Sequence, residues 1–178
     1  MASIRKAGGA AGAVCSVAAI IAIVLSHGQV RTNERGLELI GNAEACRRDP
    51  YVCPAGVLTD GIGNTHNVTG KRKTDEEIAQ DWQRNIRTSE TCVDTYFNGK
   101  RLSDNTFSAM TSAVFNLGCS GLRWNSKAAR PTMIAVAAQG GRFAEMCNRL
   151  PEFSNPASIP GIKARRLKER ELCLDGLK

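Results

Sequence analysis

Apolar positions along this chain follow three patterns. The first is an uncharged run of nineteen residues, Ala7 to Leu25, preceded by Arg5 and Lys6 and followed by no formal charge until Arg31. As a helix it rises about 28 Å, close to the roughly 30 Å hydrocarbon thickness of a bilayer, so it predicts a membrane span. A cleaved leader is the competing reading. Ser26 and Gly28 make a small-x-small pattern before Gln29, but the run exceeds the usual ~7 to 15 residues of a leader's apolar core. The second pattern is a three-and-four spacing. Asn33 caps a helix that puts Leu37, Ile40 and Glu44 on one side, so Glu44 is expected at a helix end on its buried face. Thr74 and Glu77 form a capping box before the stripe Ile78, Trp82, Ile86. Ser103 or Asp104 caps a helix with Phe107, Met110, Val114 and Leu117 inward, stopped at Gly118. Further helices are expected over Met133 to Gln139, at Phe143, Met146 and Leu150, and over the charged stretch Ile162 to Leu174. The third pattern is short and β-compatible: Val57 to Thr59 and Ile62, inside the Pro- and Gly-punctuated segment Tyr51 to Val68, predict a small hairpin. Together these give a mainly helical α+β class with the sheet confined to one small lobe. An N-terminal segment, residues 1–30, precedes a folded domain, residues 31–178.

Composition changes the picture of the first segment. Seven Ala, three Gly and one Ser lie among its nineteen residues, so it gains less from lipid than a Leu-rich helix and could leave the bilayer. Its basic end stays cytoplasmic, which places everything after Gln29 on the far, oxidising side of a bacterial inner membrane. The cysteines agree. Seven are present, none at a two-residue metal or redox spacing, and only His27 and His66 could help to ligate, so disulfides are expected and neither metal nor cofactor is. The count is odd: six can pair and one is left over, or all exchange. The net charge of +7 favours anionic partners such as nucleic acid, a lipid surface or an acidic wall polymer. Arg165, Arg166, Lys168 and Arg170 alternate with Glu169 and Glu171, which reads as a solvated face and not as a nucleic-acid site.

One constellation carries chemistry. Glu44 is followed nine residues later by Cys53 and six further on by Thr59, in Ala43-Glu44-Ala45-Cys46 through Cys53-Pro54-Ala55-Gly56-Val57-Leu58-Thr59-Asp60-Gly61-Ile62-Gly63. A carboxyl at a helix end facing a hairpin across a cleft is where a glycosidase places its general acid, and a hydroxyl on the hairpin can hold the water. This string resembles the phage-type lysozymes, whose signature is Glu, eight residues, Asp or Cys, five residues, Thr, then a Gly-x-Gly strand. The resemblance continues through Ser112-Ala113-Val114-Phe115-Asn116-Leu117-Gly118 and Gly161-Ile162-Lys163-Ala164-Arg165-Arg166 with Glu169 and Leu172, and covers nearly all the chain after about Gly36. Where the family often reads Gly-x-Gly-His, this chain has Asn64.

The resemblance implies a lysozyme-like two-lobe fold and a muramidase that cuts bacterial peptidoglycan. Glu44 matches the general acid, Cys53 the second catalytic residue, Thr59 the water-positioning hydroxyl and Asn116 a substrate contact. The uncharged run makes the chain similar to the signal-anchor-release endolysins. In their cysteine type, the match implies Cys53 caged by Cys46 until Cys15 leaves lipid and attacks Cys46. The implied partners are peptidoglycan, the inner membrane through residues 7–25, and a holin that acts by depolarisation without contact. A monomer is expected and nucleic acid is not. The implied path runs from a single-pass inner-membrane form, with its catalytic domain in the periplasm, to a released periplasmic one. Cys92, Cys119, Cys147 and Cys173 allow three pairings, with Cys147–Cys173 the first choice because both lie on late helices. A non-catalytic wall-binding or membrane-anchored protein on the same scaffold is the alternative.

Overall fold

The computed structural model describes residues 14–44, 46–53, 56–154 and 161–178. Helix α1, Val17–His27, starts where the Ser16 hydroxyl accepts from the Ala19 N–H and stops at Gly28, whose φ of 61° suits a residue without a Cβ. It packs against α3 (Asp75–Tyr96) and α2 (Glu34–Gly41) and buries Ile20, Ile21 and Val24. Burial is worth about 1.5–3 kcal/mol per aliphatic side chain. The apolar stretch therefore closes a protein core here. No helix among the described residues is long and apolar enough to cross a membrane, and positions 7–13 of the expected span lie outside the described residues.

Two cores meet along α3. The capping box of Thr74 and Glu77 opens this helix as expected, and its first half gives Ile78, Trp82 and Ile86 to a core shared with Ile20, Val24, Leu37, Ile40 and Ile62. Its second half gives Cys92 and Val93 to a core built around α4, Asp104–Leu117. Helix α4 is capped by Ser103, ends at Gly118, and is buried at every position from Thr106 to Val114. Around it lie α5 (Cys119–Arg123), α6 (Met133–Gln139), α7 (Phe143–Asn148) and α8 (Ile162–Asp175), which supply Leu122, Ile134, Met146 and Leu172.

Strand β1, Cys46–Val52, runs antiparallel to β2, Leu58–Ile62, with Cys46 opposite Ile62 and Tyr51 opposite Thr59. The sheet is not confined to this lobe. A second antiparallel pair, β3 (Trp124–Asn125) and β4 (Arg130–Pro131), joins α5 to α6, in a segment too polar and too short to announce strands. Disulfides join Cys15 to Cys46, Cys92 to Cys119, and Cys147 to Cys173, the last being the pair expected between late helices.

Candidate active site

Helix α2 aims the first site residue. The Asn33 side chain accepts from the Gly36 N–H at 3.1 Å, Leu37 and Ile40 go to the core, and the helix ends at Gly41. Glu44 is therefore not within the helix as the spacing suggested. It follows in a tight bend whose N–H groups reach back, Ala43 to the Ile40 carbonyl and Glu44 to that of Gly41. Its side chain is partly open, at 26% exposure. One carboxylate oxygen, Oε1, accepts from Arg165 Nη1 at 3.1 Å. The other faces Gly63, where a Cβ would stand 3.3 Å from Oε2. Gly63 has φ 65°, so the turn after β2 needs glycine there for its backbone conformation as well as for this approach.

Arg165 and Arg166 do not lie on a solvated face, contrary to the reading of their alternation with acids. Arg166 and Glu169 are fully buried and Arg165 nearly so. Glu169 accepts from the Ser112 hydroxyl at 2.6 Å and from Arg165 Nε at 3.2 Å, and pairs with Arg166 Nη1 at 2.7 Å. Arg165 also donates to the Ser112 carbonyl, and Arg166 Nη2 donates to Asn116 Oδ1 at 2.5 Å. Burial pushes the Glu169 carboxyl up, against the pull of Arg166, Ser112 and Arg165. The same burial pushes the Arg166 guanidinium down. The spacing of Arg165, Arg166 and Glu169, four and three residues, puts the acid one turn from both bases. That signal was available in sequence; their burial, which depends on α4, was not.

The hairpin brings Cys53 and Thr59 together. The Val57 carbonyl accepts from both the Cys53 N–H and the Thr59 hydroxyl, each at 2.9 Å. Thr59 is buried and Cys53 is half-buried, outside the three disulfides. Opposite Thr59 lies Tyr51, which the sequence reading did not single out. Its phenol is pushed up by burial first, then by the negative charge of Glu44, with Cys53 and Asp60 adding and Arg47 opposing, so it stays a hydrogen-bond donor at neutral pH.

A cavity of about 670 Å³ opens between α2 and α8 and is lined by Glu44, Asn116 and Arg165 together with Arg35, Glu38 and Lys168. Cys53 and Thr59 are not in its wall. Glu44 thus borders the cavity on one side and the turn after β2 on the other. The third thiol expected here, Cys15, is bonded to Cys46, two residues beyond Glu44, and the Cys15 N–H donates to the Cys46 carbonyl at 3.2 Å. Val14 bridges to Arg47 on β1, so the chain entering α1 lies beside the hairpin.

The family model described as phage lysozyme matches residues 41–169. The chain is 56% identical to the SAR-endolysin of Escherichia phage P1 over 97% of each sequence. It superposes on the crystal structure of the active form of P1 phage endolysin Lyz with a TM-score of 0.87 at 56% identity, covering 96% of this chain and 98% of that one. On the secreted inactive form of the same protein the TM-score is 0.59 at 54% identity, covering 83% and 97%.

Proposed function

The chain belongs to the phage lysozyme family, and from that premise we propose that Glu44 is its general acid, Cys53 its second catalytic residue and Thr59 the hydroxyl that holds the attacking water. The enzyme is an endolysin of the muramidase type. It hydrolyses the β-1,4 bonds between N-acetylmuramic acid and N-acetylglucosamine in bacterial peptidoglycan. The observation that carries the site assignment is the position of the Glu44 carboxylate, held by Arg165 on one oxygen and by the Gly63 turn on the other, at the edge of the cavity. As general acid, Glu44 gives a proton to the leaving sugar oxygen, while the hairpin group handles water or the developing sugar cation. Asn116, in the cavity wall, contacts the substrate.

The same family reading extends to control. Residues 1–30 tether the exported enzyme to the inner membrane through positions 7–25, with the body, residues 31–178, in the periplasm, inactive while Cys46 is bonded to Cys53. On release, after a holin depolarises the membrane without touching the enzyme, the Cys15 thiolate attacks the Cys46 sulfur. A Cys15–Cys46 bond forms, Cys53 leaves as a thiolate, and no net oxidation occurs. The observed Cys15–Cys46 bond, the docked α1 and the closer match to the active P1 form support this order. The released enzyme acts as a monomer in the periplasm.

Turbidity loss of purified cell-wall suspensions tests the acid. Glu44→Gln should abolish it while circular dichroism shows the helical fold retained, even though the loss of the Arg165 partner lowers the melting temperature. Retained lysis removes Glu44 from the role.

A further inference from the structure

Between Asp104 and Glu145 the chain contains no acidic residue and four cations, Arg123, Lys127, Arg130 and Arg142. Arg142 is paired with Glu145. The other three lie on or at the base of the β3–β4 hairpin, and among the described residues none of them makes an ion pair. Every residue from Trp124 to Pro131 is exposed, including 41% of Trp124. The hairpin thus presents a part-exposed indole together with cations that have no acidic partner among the described residues.

The hairpin is also braced by hydrogen bonds at its base and tip. The Thr132 hydroxyl donates to the Leu122 carbonyl at 2.6 Å and its N–H to the Arg123 carbonyl at 3.0 Å, closing the base onto α5. Across the tip, the Ala128 N–H donates to Asn125 Oδ1 at 3.0 Å. The Arg123 guanidinium lies 4.4 Å over the Tyr96 ring. A presented surface that is already ordered loses little entropy on binding.

We propose that the β3–β4 hairpin is a second wall-docking element, separate from the cavity beside Glu44, that takes a glycan strand of peptidoglycan together with its anionic stem peptides. The sugar C–H face packs on Trp124, and Lys127, Arg130 and Arg123 meet the carboxylates of the stem peptides. This rests on the muramidase reading above. Charge complementarity selects the occupant, because the wall strand offers carboxylates and apolar sugar faces together. A lipid surface fits less well. From Asn125 to Ala129 the hairpin has no aliphatic side chain larger than alanine, and so has little apolar area to insert. None of the hairpin residues lines the cavity, so the contact adds affinity for the polymer without entering the chemistry.

The test is co-sedimentation of the full chain, carrying Glu44→Gln, with purified sacculi at about 50 and about 300 mM salt. The Trp124→Ala/Lys127→Ser/Arg130→Ser variant in that background should bind roughly tenfold more weakly at low salt and with a shallower salt dependence. With Glu44 restored, the triple variant should hydrolyse soluble, peptide-free glycan oligomers within about twofold of the parent rate. Unchanged sacculus binding overturns the proposal, and so does loss of soluble-substrate hydrolysis, which would put the hairpin in the cleft. Equal, variant-sensitive binding to anionic lipid vesicles or to duplex DNA overturns it in favour of general polyanion attraction. Absence of hydrolysis by the parent would instead defeat the muramidase reading, and the binding comparison would still decide the hairpin.

Discussion

At the residue scale the site is an arrangement of buried charge. Glu169 alone cannot balance two guanidinium groups, and the second carboxylate in reach is Glu44, through Arg165. The acid is thereby tied into the helical core instead of resting on a mobile loop. A second clamp holds the hairpin side. Lys73 donates to the fully buried Asp60 and also pairs with Asp81, while Asn64 donates to Asp60 Oδ1 at 2.7 Å. Burial pushes the Asp81 carboxyl up, but hydrogen bonds from Lys73 and Arg84 outweigh it and leave it below the ordinary value of 3.8. Burial pushes the Lys73 ammonium down, but hydrogen bonds to Asp60 and Asp81 leave it above 10.5. A lowered carboxyl stabilises the fold above its unfolded pKa and loses that contribution as pH falls through the folded value. A raised ammonium stabilises it below its unfolded pKa and loses that contribution as pH rises through the folded value. The clamp therefore works fully between about pH 4 and about pH 10. Lys73→Met strands Asp60 without its cation and should cost on the order of 3 kcal/mol, roughly 6–12 °C in Tm at neutral pH. It should also flatten the fall in Tm below about pH 4. Melting curves across pH check both, and an unchanged acid limb would mean that Asp81 gains nothing from Lys73.

Among the elements, α1 is the one whose seat can be tested. A Cβ on Gly41 would lie 2.5 Å from Val17 Cγ1, a stiff β-branched side chain, and 3.4 Å from the Trp82 ring. Gly41→Ala should lift α1 from α2, costing about 1–3 kcal/mol by overpacking. Adding Val17→Ala should recover much of that loss, and thermal unfolding of the two singles and the double measures the coupling. Additive losses would show that α1 is not seated at this point in solution. Elements bounded by local chemistry were legible in sequence: Asn33, Thr74 and Ser103 cap the helices expected of them, because a cap and its stripe lie within a few residues. Strand β1 was not legible, since Cys46-Arg47-Arg48-Asp49-Pro50 lacks the period-two alternation of a half-buried strand. Arg165 and Arg166 were misread for a related reason. Charge is visible in sequence, but its burial depends on Ser112 and Asn116, some fifty residues away. The spacing of Glu44, Cys53 and Thr59, on which the proposed site rests, was visible only through family resemblance. The Tyr51 environment was not, because it arises from strand register.

For the whole molecule, the tether proposed above would give one segment two solvents. The stretch leading through Cys15 into α1, proposed above to lie in lipid before release, supplies in the folded body Ile20, Ile21 and Val24 to the core that also holds Trp82 and Ile86. It gives most of that burial to only one of them at a time. While the stretch is in lipid, Trp82 and its neighbours lack a cover and the Cys15 sulfur is kept from Cys46; on docking, both changes occur together, since Cys15 lies beside β1 just ahead of the α1 cap. The coupling predicts opposite outcomes for the two thiols. Cys15→Ser should dock α1 yet leave Cys46 bonded to Cys53, so lysis after membrane depolarisation falls to the background of Glu44→Gln. Cys46→Ser has no bond with which to cage Cys53, so it should lyse without exchange and be toxic to a host that exports it. Culture turbidity after depolarisation, with mass mapping of disulfides before and after, separates the two. Undiminished lysis by Cys15→Ser would leave the apolar core as the whole switch, with docking of α1 alone sufficient to assemble the site around Glu44.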